Sequence, residues 1–159
     1  KQGRAKRGRA TNKLIAFARR DALLAVAGCP SRIKCPDHAS RALMAAFQLL
    51  DVTREFSEQI NIPVNIRMGI HSGKVIAGVV GEKDPRYHLF GEAVKVVELM
   101  ESSGEPGHVH CSHSAWEHVN KATDSNSVEF RSSVEFTRRS DLDEKSKNKL
   151  KGLDYGSAT

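Results

Sequence analysis

An α/β sandwich is the fold class this sequence predicts, because strand periods and helix periods alternate along it. Ile66, Met68 and Ile70 alternate with Arg67, Gly69 and His71, the period of a strand with one buried face. Ala42, Leu43, Ala46, Phe47, Leu50 and Phe56 recur near helical spacing and predict one buried helical stripe. Ala93, Val96, Val97 and Met100 give a second helix a broad apolar face.

Taken in order, residues 1–13 are basic and poor in large apolar side chains, with Lys1, Arg4, Lys6, Arg7 and Arg9 close together. That composition predicts a disordered tail. It lacks aromatic residues to stack on bases, so nucleic acid is not an expected partner. Residues 14–17 and 22–28 read as a hairpin that turns near Arg19-Arg20-Asp21. Residues 30–36 are a loop, and Asp37 is placed to cap a helix running to about residue 57. Arg41 is expected to face water on it, and His38 to be a first-turn or packed histidine. Asn61-Ile62-Pro63 is a turn into the strand of residues 66–70.

Ser72-Gly73 is a further turn signal, and the apolar run 75–80 is read as the returning strand. Gly78 inside that run predicts a bulge or a close backbone approach. Residues 87–90 form another short strand, and Gly91-Glu92 opens the helix that ends near Ser102. Residues 108–111 are a short strand, and Ser114 is placed to cap a helix to about Val119 on which Trp116 packs. His108, His110, Cys111, His113 and His118 invite a zinc reading, and His108 and His110 share a strand face, but zinc is not the expected reading. Residues 128–130 and 134–136 suggest two strands of a terminal hairpin, followed by a charged segment.

Global features narrow the class. A chain of 159 residues is most simply one domain. No apolar run approaches the roughly 20 residues a membrane helix needs, and no signal peptide is expected from a basic start without an apolar segment after it. Three cysteines, Cys29, Cys35 and Cys111, fit a reducing compartment. The net charge of +6 suits acidic partners such as nucleotides, nucleic acid or anionic lipid.

Several pieces in register carry a family resemblance, from about Asp21 to Val119. They include Gly69-Ile70-His71-Ser72-Gly73, Ala77-Gly78-Val79-Val80-Gly81, Pro85-Arg86-Tyr87, Leu89-Phe90-Gly91 and Met100-Glu101-Ser102-Ser103-Gly104. Upstream, Ala25-Val26-Ala27-Gly28-Cys29-Pro30 and Asp37-His38-Ala39 match in the same order. The sequence resembles the class III nucleotidyl cyclases. Its wording, above all Pro-Arg-Tyr before Leu-Phe-Gly, is closer to the guanylyl than to the adenylyl members.

The resemblance implies a ferredoxin-like α/β sandwich with helices on one face of the sheet. It implies residues 1–13 as tail, 14–136 as an N-terminally incomplete cyclase domain, and 137–159 as a charged segment. The family's first strand, with a motif like Phe-x-Asp-Ile-x-x-Phe, lies in the middle of the sheet and carries the first metal aspartate. No such motif is present, so the first central strand is expected to be missing and its two neighbours to expose an edge.

The implied chemistry converts GTP, or ATP, to the cyclic 3′,5′-monophosphate and pyrophosphate with Mg²⁺ or Mn²⁺. Asp21 stands at the second metal position, behind Arg20 where the family has Gly. The catalytic helix of active members carries Asn and, four residues on, Arg. Here those positions are Lys95 and Leu99. His88 stands at one purine-reading position, where it can donate or accept. Phe17 aligns with the other and can only stack or pack. Lys151, in a Lys-Gly turn, is a candidate triphosphate contact.

Active members dimerise head to tail, each site built from both chains. The expected partners are therefore a nucleoside triphosphate and a second cyclase domain, as homo- or heterodimer. The resemblance implies an intracellular, cytoplasmic-side signalling domain of guanylyl type, inactive alone. The alternative is a non-catalytic regulatory half that binds a cyclase partner.

Overall fold

The computed structural model describes residues 14–18, 22–29 and 35–137. The elements run β1 (Leu14–Ala18), β2 (Leu23–Ala27), α1 (His38–Ile60), β3 (Met68–Ile70), β4 (Ile76–Val80), β5 (Arg86–Phe90), α2 (Glu92–Ser102), β6 (Val109–Cys111), α3 (His113–Lys121) and α4 (Ser125–Ser133). β1 and β2 form the expected antiparallel hairpin, with Phe17 opposite Leu24. β4 pairs antiparallel with β5, and β3 pairs parallel with β6. The described strands thus make three two-stranded sheets.

The run 75–80 is therefore not the return strand of β3. The chain leaves β3 through residues 71–75 in irregular backbone, and β4 takes β5 as its partner. β3 is completed only after α2 has crossed over and delivered β6 alongside it, as a parallel pair requires. Gly78 makes neither a bulge nor a close approach. It pairs regularly with His88, and a Cβ there would meet nothing within 4 Å.

Asp37 occupies the N-cap position of α1 without a side-chain cap bond. Its carboxylate instead accepts from the Arg41 guanidinium at 2.6 Å and from the Cys35 thiol at 3.2 Å. Arg41 is consequently drawn in rather than left facing water. α1 stops at Asn61, whose left-handed φ of 50° suits asparagine. Ala39, Ser40, Leu43 and Ala46 are its buried residues. The expected stripe continues only halfway: Phe56 is 50% exposed, as are Leu49, Val52 and Ile60 to similar degrees, because α1 runs on past the elements that cover its first half.

The core gathers Ala39, Leu43, Ala46, Ile70, Ala115 and Val119, with Phe47, Met68 and Phe130 packed against it. The ring of Phe130 meets that of Phe47 edge to face at 5.8 Å. Phe130 comes from α4, so residues 128–130 are helical and the terminal hairpin does not form. Asp124 explains the difference, since its carboxylate accepts from the Ser127 N–H at 2.9 Å and starts a helix there. Arg131 then donates to the Asn120 carbonyl at 2.6 Å, tying α4 to the end of α3. Ser112, not Ser114, caps α3 by accepting from the Ala115 N–H. Trp116 is 39% exposed and stacks on the His113 ring at 5.4 Å instead of packing in the core.

Met68 and Ile70 point into the core beneath α1, so Gly69 must point to the opposite face, where α2 lies. A Cβ on Gly69 would stand 2.3 Å from the Glu101 nitrogen and 2.7 Å from the Val97 oxygen. Helices thus cover both faces of β3, not one. Among the described residues β2 and β3 are not paired with each other.

Gly69→Ala should therefore destabilise the fold by about 1–3 kcal/mol or more, because backbone rather than a flexible side chain must give way. Urea denaturation of both proteins measures it. An unchanged midpoint would contradict this packing.

Candidate active site and its surroundings

α2 begins after Gly91, whose φ of 128° is costly for any side chain, and buries Ala93, Val96 and Met100. Lys95 is left exposed and Leu99 partly exposed, one turn apart on the same face. The C-terminal end of α2 is held by its own polar residues. Ser103 donates to the Leu99 carbonyl through its hydroxyl at 2.7 Å, and His110 Nδ1 donates to the Met100 carbonyl at 2.9 Å. The second bond fastens α2 to β6.

Lys95 is the only cation on α2. The described arginines are each engaged elsewhere. Arg67 pairs with Glu101 at 3.0 Å, Arg41 with Asp37, Arg54 with Asp51, and Arg86 with Asp84, while Arg131 binds the Asn120 carbonyl. Nothing on α2 can therefore place a planar, two-pronged cation against a phosphoryl group.

His88 lies exposed on β5, opposite Gly78, with the Phe90 ring 6.0 Å away. The space over Gly78 beside the two rings is open. His88 offers a donor or an acceptor at its edge. Of the remaining sequence-predicted residues, Phe17 stands on the β1 backbone, and Asp21 and Lys151 lie outside the described residues. Among the described residues no cluster of three or more His, Cys, Asp or Glu is placed to hold a metal ion. They do not by themselves fit a divalent cation.

The sequence reading missed a histidine–serine network just beyond β3. His71 Nδ1 lies 2.9 Å from Ser112 Oγ and 3.3 Å from Ser114 Oγ. Ser114 Oγ donates to the Ser72 carbonyl at 2.6 Å. His38 Nδ1 donates to the Cys35 carbonyl at 2.8 Å, so its Nε2 accepts from Ser72 Oγ at 3.2 Å. His118 Nδ1 donates to the Ser114 carbonyl at 2.7 Å, and its ring lies edge-on to that of His38 at 4.9 Å. Three elements, α1, the loop after β3 and α3, are thereby locked together. Burial, and secondarily the nearby His118, hold the His71 pKa below its ordinary value of 6.5. Burial likewise pushes the Cys111 thiol up to about 12, which makes it inert.

Known proteins resemble this chain. The family model described as the adenylate and guanylate cyclase catalytic domain matches residues 20–153. The rat guanylate cyclase soluble subunit beta-2 is 36% identical over 132 residues, 82% of this chain and 17% of that protein. A membrane guanylyl cyclase of Dictyostelium discoideum is 41% identical over 92 residues, 58% of this chain and 6% of its own length. The chain thus spans a small part of these relatives.

Among solved structures, the guanylate cyclase domain of RhGC from Catenaria anguillulae, in complex with GTP, superposes with a TM-score of 0.62 at 33% identity. It covers 68% of this chain and 59% of that one. A dimeric guanylyl cyclase domain of a fusion protein from Blastocladiella emersonii gives a TM-score of 0.54 at 34% identity, over 62% and 53% of the two chains. The relatives include membrane and soluble cyclases. No described helix of this chain is long and apolar enough to cross a membrane.

The His71 environment predicts a pH dependence of stability. Because the native pKa is depressed, the unfolded chain binds more protons as pH falls below about 6.5. The stability from neutral His71 is complete above that value and is lost as pH falls through the lower native value. Unfolding free energy should therefore fall as pH drops from above 6.5 to below it, and His71→Asn should flatten that profile. Equal slopes in the two proteins would refute the assignment.

Proposed function

The chain belongs to the adenylate and guanylate cyclase catalytic-domain family, and from that premise we propose that it is a guanylyl-type half-site. It binds a nucleoside triphosphate at an interface with a second cyclase domain, and by itself does not cyclise GTP or ATP. The parent reaction attacks the α-phosphorus with the ribose 3′-oxygen, forms one P–O bond and expels pyrophosphate. Negative charge grows on the phosphoryl oxygens as it does so. A fixed guanidinium opposite those oxygens lowers the barrier, and loss of one such donor costs about 10²–10³ in rate.

The observation that carries the reading is the pair Lys95 and Leu99 on one face of α2, with no arginine on that helix. Lysine brings a point charge without the amide's paired donor and acceptor, and leucine brings nothing polar. His88, paired with Gly78 across the hairpin, reads the purine edge. Asp21 contributes one carboxylate toward a divalent cation, Mg²⁺ or Mn²⁺, which in this family activates the hydroxyl and holds the triphosphate.

Partner dependence has its own support. Ile76, Val80 and Phe90 lie on one face of the β4–β5 hairpin and are 72, 50 and 48% exposed. Apolar strand residues left this open favour a second protein surface against them. The same surface supports the alternative, a purely regulatory half that binds a cyclase partner and turns nothing over.

A cyclase assay with Mn²⁺ and GTP or ATP distinguishes these. The chain alone should make no cyclic nucleotide. With a cyclase domain that keeps its metal aspartates but has lost its own Asn and Arg, Lys95→Asn/Leu99→Arg should give product at least about 100-fold above the unaltered chain. Product from the unaltered chain alone would overturn the half-site reading. A double variant no more active than the parent, although it forms the dimer, would favour the regulatory half.

A further inference from the structure

Three imidazoles gather where α1, the loop after β3 and α3 come together. His38 stands in the first turn of α1, His71 opens the loop and His118 lies on α3. The rings of His38 and His118 are edge to face, with centroids 4.9 Å apart. His118 also acts electrostatically on His71. The charged neighbours are already committed. Beside α1, Asp37 holds Arg41 and the Cys35 thiol; on α3, Glu117 holds Lys121 and His113. At the start of α4, Asp124 takes the Ser127 N–H and faces Arg41. On β6 the Cys111 thiol stays neutral, and His110 is turned to the Met100 carbonyl of α2. Lys74 of the loop and Glu92 of α2 are exposed.

The bonds at this junction suit neutral rings. His38 is satisfied in one tautomer, with Nδ1 donating to the Cys35 carbonyl and Nε2 accepting from Ser72 Oγ. A proton on Nε2 would take the place of the Ser72 hydroxyl hydrogen, and that buried hydroxyl would lose its acceptor. A first charge on the cluster meets only neutral rings, whereas a second faces a like charge across 4.9 Å. Ser72 carries the effect to the loop. Its side chain is tied to His38 and its carbonyl to Ser114 Oγ. Gly73 is wedged beside it: a Cβ there would stand 2.7 Å from His71 Nε2 and 3.0 Å from the Cβ of Ala93 on α2. The Lys74 carbonyl passes 3.1 Å from where a Cβ on Gly91 would stand. Residues 71–75 thus join the histidine cluster to the root of β4 and the start of α2.

We propose that His38, His71 and His118 form a proton-operated latch on residues 71–75. Neutral, the rings hold the loop against α1 and α3. When the cluster takes up a second proton, the bond from Ser72 to His38 breaks and the loop is released, which frees the root of the β4–β5 hairpin. The depressed pKa of His71 agrees in sign, because burial and His118 both oppose its charged form. The latch is closed above the range in which histidine titrates and opens as pH falls through it. It acts within this chain. Only its effect on a partner, through the apolar face of the hairpin, rests on the half-site reading.

Backbone amide order parameters from NMR relaxation of the whole chain test it. Those of residues 72–75 should fall from about 0.85 at about pH 7.5 to below about 0.6 at about pH 5.5, while those of β3, β6 and α1 hold. His118→Gln removes one charge at an exposed position and should leave the loop ordered at the acidic pH. His38→Gln, whose amide still accepts from Ser72 but does not ionise, should do the same. If neither variant folds, the parent chain decides, and loss of order confined to residues 72–75 supports the latch. Unchanged order in acid, loss of order in every element together, or loosening in His118→Gln equal to that of the parent would each overturn the proposal. Loosening in a chain that binds no cyclase domain would support the latch and count against the half-site reading, so the two can fail separately.

Discussion

The contact between Gly69 and the backbone of α2 governs the rest of the structure. β3 is three residues long and contributes almost nothing as an isolated strand. It is held because helices press on it from both faces. Met68 and Ile70 close the α1 side, while Gly69 lets the main chain of α2 approach nearer than any side chain would allow. Everything that follows β3 in the chain, from the β4–β5 hairpin to the parallel partner β6, is placed relative to that wedge.

The wedge also sets the rotation of α2 and so the direction of its outer face. With Ala93, Val96 and Met100 turned inward, Lys95 and Leu99 must share the outward side. Under the half-site reading proposed above, this outward face would have to steady the phosphoryl group, and Lys95 and Leu99 offer only a point charge and an apolar side chain for it. Arg67, the guanidinium nearest α2 in the described contacts, is spent on Glu101. Freeing it would cost little at an exposed pair, yet Arg67 emerges from β3 rather than from the face that carries Leu99.

Local signals were legible in the sequence and non-local ones were not. The hairpin of β1 and β2, the start of α1 and both ends of α2 follow from turn residues and periodicity within a few positions. The parallel pairing of β3 with β6 joins residues about forty apart, and no local pattern announces it. Val128 and Phe130 carry strand propensity, and the Asp124 cap overrode it in favour of helix. The expected stripe on α1 failed at Phe56, since periodicity tells which residues share a face but not how far the covering elements reach. Motif wording singled out Lys95, Leu99 and His88 as candidates. The role of His71 needed coordinates, because β4, β5, α2 and β6 separate it in the chain from its partners Ser112 and Ser114.

The polar ties of the molecule gather on its helical side. His38, His71, Ser72, Ser112 and Ser114 join α1, the loop after β3 and α3 without help from the sheet. On the other side, Ile76, Val80 and Phe90 of the β4–β5 hairpin stay exposed. Under the half-site reading proposed above the two features belong together. The network keeps the fold rigid from the helical side, and the open apolar face of the hairpin is the surface a second cyclase domain would cover.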